Sequence, residues 1–295
     1  MQRVLTDVDG IVAAQTDRGK QTSDEVLGEN YITTLLGDIN LVEFEAERDR
    51  VASRRRQLCE ELNLEKLVIP REYQTHSILL VDRQLDTEPD RKLYPPFTAD
   101  AMWTMTPGIG LAVSIADCAG ILIADTTQQL VAAIHSGHGQ SMRALPYRTI
   151  KQLPANPNNL AVYISPLADV ASYEVGVGFR DEFVDYFNRY FSSLGLKPGD
   201  YFSERELSIW PSREHVGHVT KTGIGFDNRQ FILDQLRAVG ILEANITINN
   251  KNTMNPENNL HSYRLDGYKR DDEATIIGRR SSGAQLSVIG IKTDG

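Results

Sequence analysis

Apolar residues in this chain come in short unbroken runs, not in long alternations. SILLVD (77–82), LAVSI (111–115), ILIAD (121–125), LVAAIH (130–135) and LAVYISP (160–166) are five to seven residues long, rich in branched aliphatics and bounded by polar stretches. Runs of that length and composition read as buried strands. TTQQ between the third and fourth suits a tight hairpin, and a polar loop through Pro95 and Pro96 separates the first from the second. NITINN and the final AQLSVIGIK add two more strands. Helical spacing appears in three places. Residues 42–62 carry Val42, Phe44, Val51, Leu58 and Leu62 among helix formers. Residues 178–194 repeat Phe179, Phe183, Phe187, Tyr190 and Phe191 about once per turn, which predicts core packing. Asp227 is placed to cap a helix through Leu236 and Val239 that Gly240 ends. Strands and helices interleave with no linker or repeat, so the pattern predicts a mixed α/β fold, a single compact domain over residues 1–295.

Composition narrows the function. With 41% apolar residues in 295, the chain can bury a substantial core. A net charge of -9, with Lys and Arg scattered among more numerous acids, disfavours nucleic acid and anionic membrane surfaces and favours a small-molecule substrate. No apolar run reaches the length of a secretory or spanning segment, so a cytoplasmic protein is expected. Two cysteines, Cys59 and Cys118, make no disulfide framework and no CxxC pair. Cys59 falls on the first helix as a packing residue.

Cys118 is different, because it follows a strand directly and precedes His135 by seventeen residues, and His135 itself ends a strand. His76, in EYQTHSILLVD, begins one. Strand ends hold side chains rigidly, so these three would form a site if the ends converge. Two imidazoles and a thiolate suit zinc with a fourth position open. The spacing alone leaves the alternative standing that Cys118 is a core thiol and each His is separately hydrogen-bonded. LTDVDGIV, near the start, reads as an ordinary DG turn.

QTH (74–76), ADAMWT (99–104), LAVSIADCAGILIAD, AAIHSGHG, ISP with YEVG (164–176), and HSYRLDG followed by GRRSSG occur in an order that resembles the YfiH-like family. Its proteins have long been labelled multicopper polyphenol oxidases or laccase-domain proteins, and they include purine nucleoside phosphorylases and adenosine deaminases. The resemblance runs from about residue 30 to residue 290. It implies layered sheets with flanking helices, a fold compared with that of a toxin deamidase of the cysteine-hydrolase type. It also implies a zinc ion on His76, Cys118 and His135, with copper able to occupy the same place in vitro. A family helix segment VxxNRxxL is matched by VASRRRQL, which nominates Arg55 as a phosphate contact, and SYRLD nominates Arg264.

Departures from the pattern are specific. HAGWRG has become HSGHGQ, so His138 stands where the family has Trp and Gly139 where it has Arg; SYRRD has become SYRLD, which puts Leu265 in place of the second Arg. ISPLA lacks the cysteine of the family's GPC segment. Lost arginines weaken the expectation of phosphate binding more than that of metal binding. The resulting expectation is a zinc-dependent purine nucleoside enzyme, a phosphorylase or deaminase, acting as monomer or homodimer on nucleoside and phosphate. Asp117 or His138 would carry the proton, although Asp117 serves equally well to cap the turn before Cys118. Alternatives are a metal-independent Cys–His hydrolase and a non-catalytic binding relic. A multicopper oxidase needs clustered histidines for a type 1 site and a trinuclear site, which six scattered ones cannot supply.

Overall fold

A strand covered on both faces needs a continuous apolar run, and the computed structural model shows what covers each face. It describes residues 1–5, 8–18, 41–72, 75–85, 98–279 and 282–293, with backbone alone for 41–48 and 279. Gln74, the loop through Pro95 and Pro96, Arg280 and Ser281 lie outside the described residues, as do the side chains of Val42 and Phe44. The first strands are β1 (Gln2–Val4), β2 (Ile11–Gln15), β3 (Lys66–Val68), β4 (Ile78–Leu80), β5 (Ala101–Thr104), β6 (Ile109–Ile115), β7 (Ala119–Asp125) and β8 (Val131–Ser136). Then come β9 (Leu160–Ile164), β10 (Glu174–Val175), β11 (Phe202–Ile209), β12 (Val219–Phe226), β13 (Ile246–Ile248), β14 (Tyr268–Arg270), β15 (Ile276–Arg279) and β16 (Gln285–Ile291). The α-helices are α1 (Leu41–Leu62), α2 (His138–Met142), α3 (Leu145–Gln152), α4 (Val177–Tyr190), α5 (Asn228–Ala238) and α6 (Tyr263–Asp266).

Two mixed sheets, ordered β1-β2-β16-β6-β3 and β13-β9-β7-β8-β5-β4, stack face to face. Between them lie Ile11, Leu111, Val113 and Ile289 from one sheet and Leu122, Val131, Ala133 and Tyr163 from the other, all buried. Successive residues of a strand point to opposite faces. Val12, Ala112, Leu286 and Val288 therefore meet Leu58 and Leu62 of α1 on the outer side of the five-stranded sheet. On the outer side of the six-stranded sheet Ile121, Ile123, Ile134 and Val162 pack on Leu145 and Ile150 of α3 and on Ile232 and Leu236 of α5. The result is helix, sheet, sheet, helix, the layered α/β architecture that was expected.

Local chemistry agrees with the sequence pattern at several joints. Asp125 Oδ1 accepts from Thr127 N at 2.8 Å and closes the TTQQ hairpin between β7 and β8. The expected cap of α5 is in place, where the Asp227 carboxylate accepts from Gln230 N at 2.9 Å. Gly10, at φ +70, makes the DG turn from β1 to β2. Phe183, Phe187 and Phe191 form the expected buried cluster with Tyr201, Phe226 and Phe231, and Phe179 packs partly buried against it, but Tyr190 points to solvent. Cys59 packs half-buried beside Leu58, and burial pushes its thiol up to about 11. Among the described residues no helix is long and apolar enough to cross a membrane.

Candidate functional site

β6 belongs to one sheet and β7 to the other, so Ala116, Asp117 and Cys118 turn a corner between the layers. Asp117 sits at φ 95, a conformation that needs outside support for a residue with a Cβ. Its buried carboxylate supplies that support by accepting from Thr253 Oγ1 at 2.7 Å and from Arg264 N at 2.8 Å. Burial nevertheless raises its carboxyl above the usual value. Of the two roles open to Asp117, this geometry serves the turn. Gly137 is demanded by the sulfur beyond the corner, because a Cβ there would stand 2.7 Å from Cys118 Sγ.

His135, at the end of β8, shares the cavity lining with Cys118, close enough for the thiol's charge to act on its ring. Its Nδ1 lies 3.1 Å from Asp100 Oδ1, and its backbone N–H donates to the Asp100 carbonyl at 2.7 Å. Burial alone would discharge the imidazole. Glu72, Cys118 and Asp100 outweigh burial and hold its pKa well above the ordinary value. Glu72 is itself anchored on Ser114, accepting from its N–H at 2.7 Å and from its hydroxyl.

His76 is brought to the neighbouring strand end but faces elsewhere. Arg143 donates to its Nε2 at 2.9 Å, while its buried Nδ1 has no partner among the described residues. Burial, then the Arg143 cation, keeps this imidazole below its usual pKa. A neutral ring that accepts at Nε2 carries its proton on Nδ1. For His76 to ligate a metal through Nε2, Arg143 must turn away. Among the described residues no three His, Cys, Asp or Glu side chains are grouped so as to enclose an ion. In donor type the set fits zinc: two imidazoles and a thiol, one imidazole beside the thiol and backed by a carboxylate, the other with an orphaned nitrogen.

Cys118 and His135 open onto a cavity of about 940 Å³. Segments from elsewhere in the chain complete its lining, including Tyr173, Lys221 of β12, Arg264 of α6, Arg270 of β14 and Ile276 of β15. Arg264 lies 4.3 Å over the Tyr173 ring and donates to the Glu174 carbonyl. His138 lines the same space, with Nδ1 2.8 Å from Tyr173 Oη. Burial, helped by Arg264, depresses its pKa to about 4, so this ring is neutral near pH 7. Arg55, half-buried on α1, is not among the cavity-lining residues. Leu265 is wholly buried, so the position that lost an arginine now serves the core. Asp100, Glu72, Arg143 and Tyr173 escaped sequence reading. Asp100 lay inside the quoted ADAMWT, and only its being an acid next to a strand start could have drawn notice.

A thiol and an imidazole thus sit at the corner of a layered α/β sandwich, on a cavity of the size that small-molecule sites have. The family model described as multi-copper polyphenol oxidoreductase laccase matches residues 33–291, and the chain belongs to this family. The YfiH-like resemblance of the motifs is borne out. A purine nucleoside phosphorylase of Pseudomonas aeruginosa is 31% identical over 111 residues, 38% of this chain and 43% of that protein. One of Corynebacterium glutamicum is 28% identical over 130 residues, 42% and 51% of the two chains. The matched segment thus spans about half the length of these curated relatives. In architecture the chain is similar to the hypothetical protein YfiH of Bacillus licheniformis, with TM-score 0.70 and 18% identity, covering 96% of this chain and 94% of that one. YlmD of Geobacillus stearothermophilus gives TM-score 0.67 and 22% identity over 96% and 93%.

Proposed function

We propose that the protein is a purine nucleoside-processing enzyme in which Cys118 and His135 at the cavity, joined by His76 once Arg143 turns away from it, hold a zinc ion. The observation that carries this reading is that Cys118 and His135, drawn from two strand ends, line one cavity, in a family whose relatives bear the name purine nucleoside phosphorylase. Zinc held there supplies Lewis acidity at neutral pH, for displacement of a purine by phosphate or for loss of its exocyclic amine. The remaining work falls to the chain's own groups. Arg264, stacked on Tyr173, offers a fixed cation for the phosphate or the ribose. His138, neutral and tied to Tyr173, offers a ring edge to the base and can pass a proton by way of the phenol. Asp117 keeps Cys118 and Arg264 in place by holding the turn and an amide of α6.

The test is to purify the protein, measure bound zinc and copper, and assay adenosine, inosine, guanosine and methylthioadenosine with and without phosphate. Phosphate-dependent base release marks a phosphorylase, and ammonia release without phosphate a deaminase. No turnover on any of the four by zinc-loaded protein would overturn the reading.

One observation favours a second reading, a metal-independent cysteine hydrolase. His135 lies between Cys118 and Asp100 in the order nucleophile, base, orienting carboxylate. Fast alkylation of Cys118 by iodoacetamide, unaffected by zinc or chelator, would select it; a zinc-bound thiolate reacts slowly.

A further inference from the structure

We infer that Asp100 is the positioning residue for both strand-end imidazoles, fixing the ring of His135 with one carboxylate oxygen and the backbone of His76 with the other. This rests on the zinc reading only for its effect on metal affinity. Asp100 stands in the turn before β5 with its side chain wholly shielded from solvent. Oδ1 receives His135 Nδ1 at 3.1 Å and Gln140 Nε2 at 2.9 Å. Oδ2 receives Thr75 N at 2.6 Å, Thr75 Oγ1 at 3.0 Å and His76 N at 3.2 Å. Five donors converge on this carboxylate, and the backbone amides of Thr75 and His76 can only donate, so it acts as an acceptor.

Two consequences follow from that one charge. An acceptor at Nδ1 keeps a proton there whenever His135 is neutral, leaving Nε2 as the nitrogen with a free lone pair. On the other side, His76 has φ 57, a left-handed conformation that costs a residue with a Cβ roughly 1 kcal/mol or more and persists only when held. The two amides donated to Oδ2 are what hold it.

Asp100→Asn tests this, because the amide preserves size but can accept at only one end. In metal-free protein, at a pH high enough to leave the His135 ring neutral, ¹⁵N shifts of His135 should report loss of the Nδ1–H tautomer, and exchange of the Thr75 and His76 amides should quicken at least tenfold. Zinc affinity by chelator competition should fall about 10–100-fold. Gln140→Leu removes another donor from the same carboxylate without touching either imidazole, and should leave the tautomer intact; Asp100→Asn must also keep the wild-type circular dichroism. An unchanged tautomer with unchanged amide exchange, or a wild-type zinc affinity in Asp100→Asn, would overturn the inference. A wild-type protein that binds no zinc while the tautomer and exchange respond as stated would sink the zinc reading and leave the positioning role standing.

Discussion

The floor of the cavity and its wall are built on different terms. The floor is made where β6, β7 and β8 end. All seven residues of β7 are buried, β8 pairs on both sides, and the carboxylates of Asp100 and Asp117 are saturated with donors. The wall is made of a three-stranded and a two-stranded ribbon at the edge of the sandwich. It carries ion pairs such as Lys221 with Glu174 at 3.3 Å, and it leaves Ile276 54% and Ile277 67% exposed. Groups that must stay within a few tenths of an ångström belong on the first kind of support, and groups that accommodate different substrates on the second. Substitutions in the floor should therefore act all-or-none, and those in the wall by degrees.

The largest effects are expected at the floor. Cys118→Ser and His135→Ala should each abolish bound zinc and reduce turnover below detection while circular dichroism is unchanged. Gly137→Ala should do the same by driving a methyl group against the Cys118 sulfur. Full zinc content in any of the three would erase the distinction drawn here.

Next comes the tie that fastens the wall. Arg213, from the loop between β11 and β12, donates to both oxygens of Asp266 at 2.5 and 2.7 Å and so anchors α6, which carries Arg264. Arg213→Ala should cost about 2–3 kcal/mol in denaturant titration, as loss of charge-assisted hydrogen bonds in a part-buried pair does. Burial opposes ionisation of Asp266, but Arg213 prevails and its pKa lies below the usual value. That stabilisation is complete above the unfolded carboxyl pKa of about 3.9 and fades as pH drops further, so variant and wild type should converge in that range.

His138 gives a smaller, graded effect. Its folded pKa of about 4 lies below the ordinary 6.5, so stability is full above pH 6.5 and declines as the pH falls toward 4. His138→Phe should remove about 2 kcal/mol of that decline by pH 4.5, read from thermal melts across the interval. Arg264→Ala should raise KM for phosphate or nucleoside about tenfold, roughly 1.4 kcal/mol, with a lesser change in kcat. Smallest is Cys59→Ser, within about 1 kcal/mol by denaturant titration, with the wild-type Cys59 thiol alkylating slowly because burial keeps it protonated.

Much of the floor was legible beforehand. Its strands announce themselves as unbroken apolar runs, and the chemistry sits where those runs stop, so Cys118 and His135 could be picked out before any coordinates. The wall was not. FSERELSI in β11 and VTKTGIGF in β12 form long strands, yet their residues are largely exposed or half-exposed, and a ribbon with one wet face leaves little apolar signal. Asp100 and Arg143 were hidden for another reason. Each meets its histidine across 35 and 67 residues respectively, a separation that carries no local periodicity. Arg55 was nominated by a short helix motif and lies away from the cavity lining.

β16 sits in the middle of the five-stranded sheet, between β2 and β6, with residues 287–291 laid against 11–15. A growing polypeptide can zip up the six-stranded sheet from segments 78–248 while this gap is still open. The other sheet cannot close until residue 291 is available to fill it, so the five-stranded sheet and the part of α1 packed on it should acquire protection from hydrogen exchange late in refolding. Cys118, hinged between the early sheet and the late one, would then gain its final surroundings only in the last step of assembly.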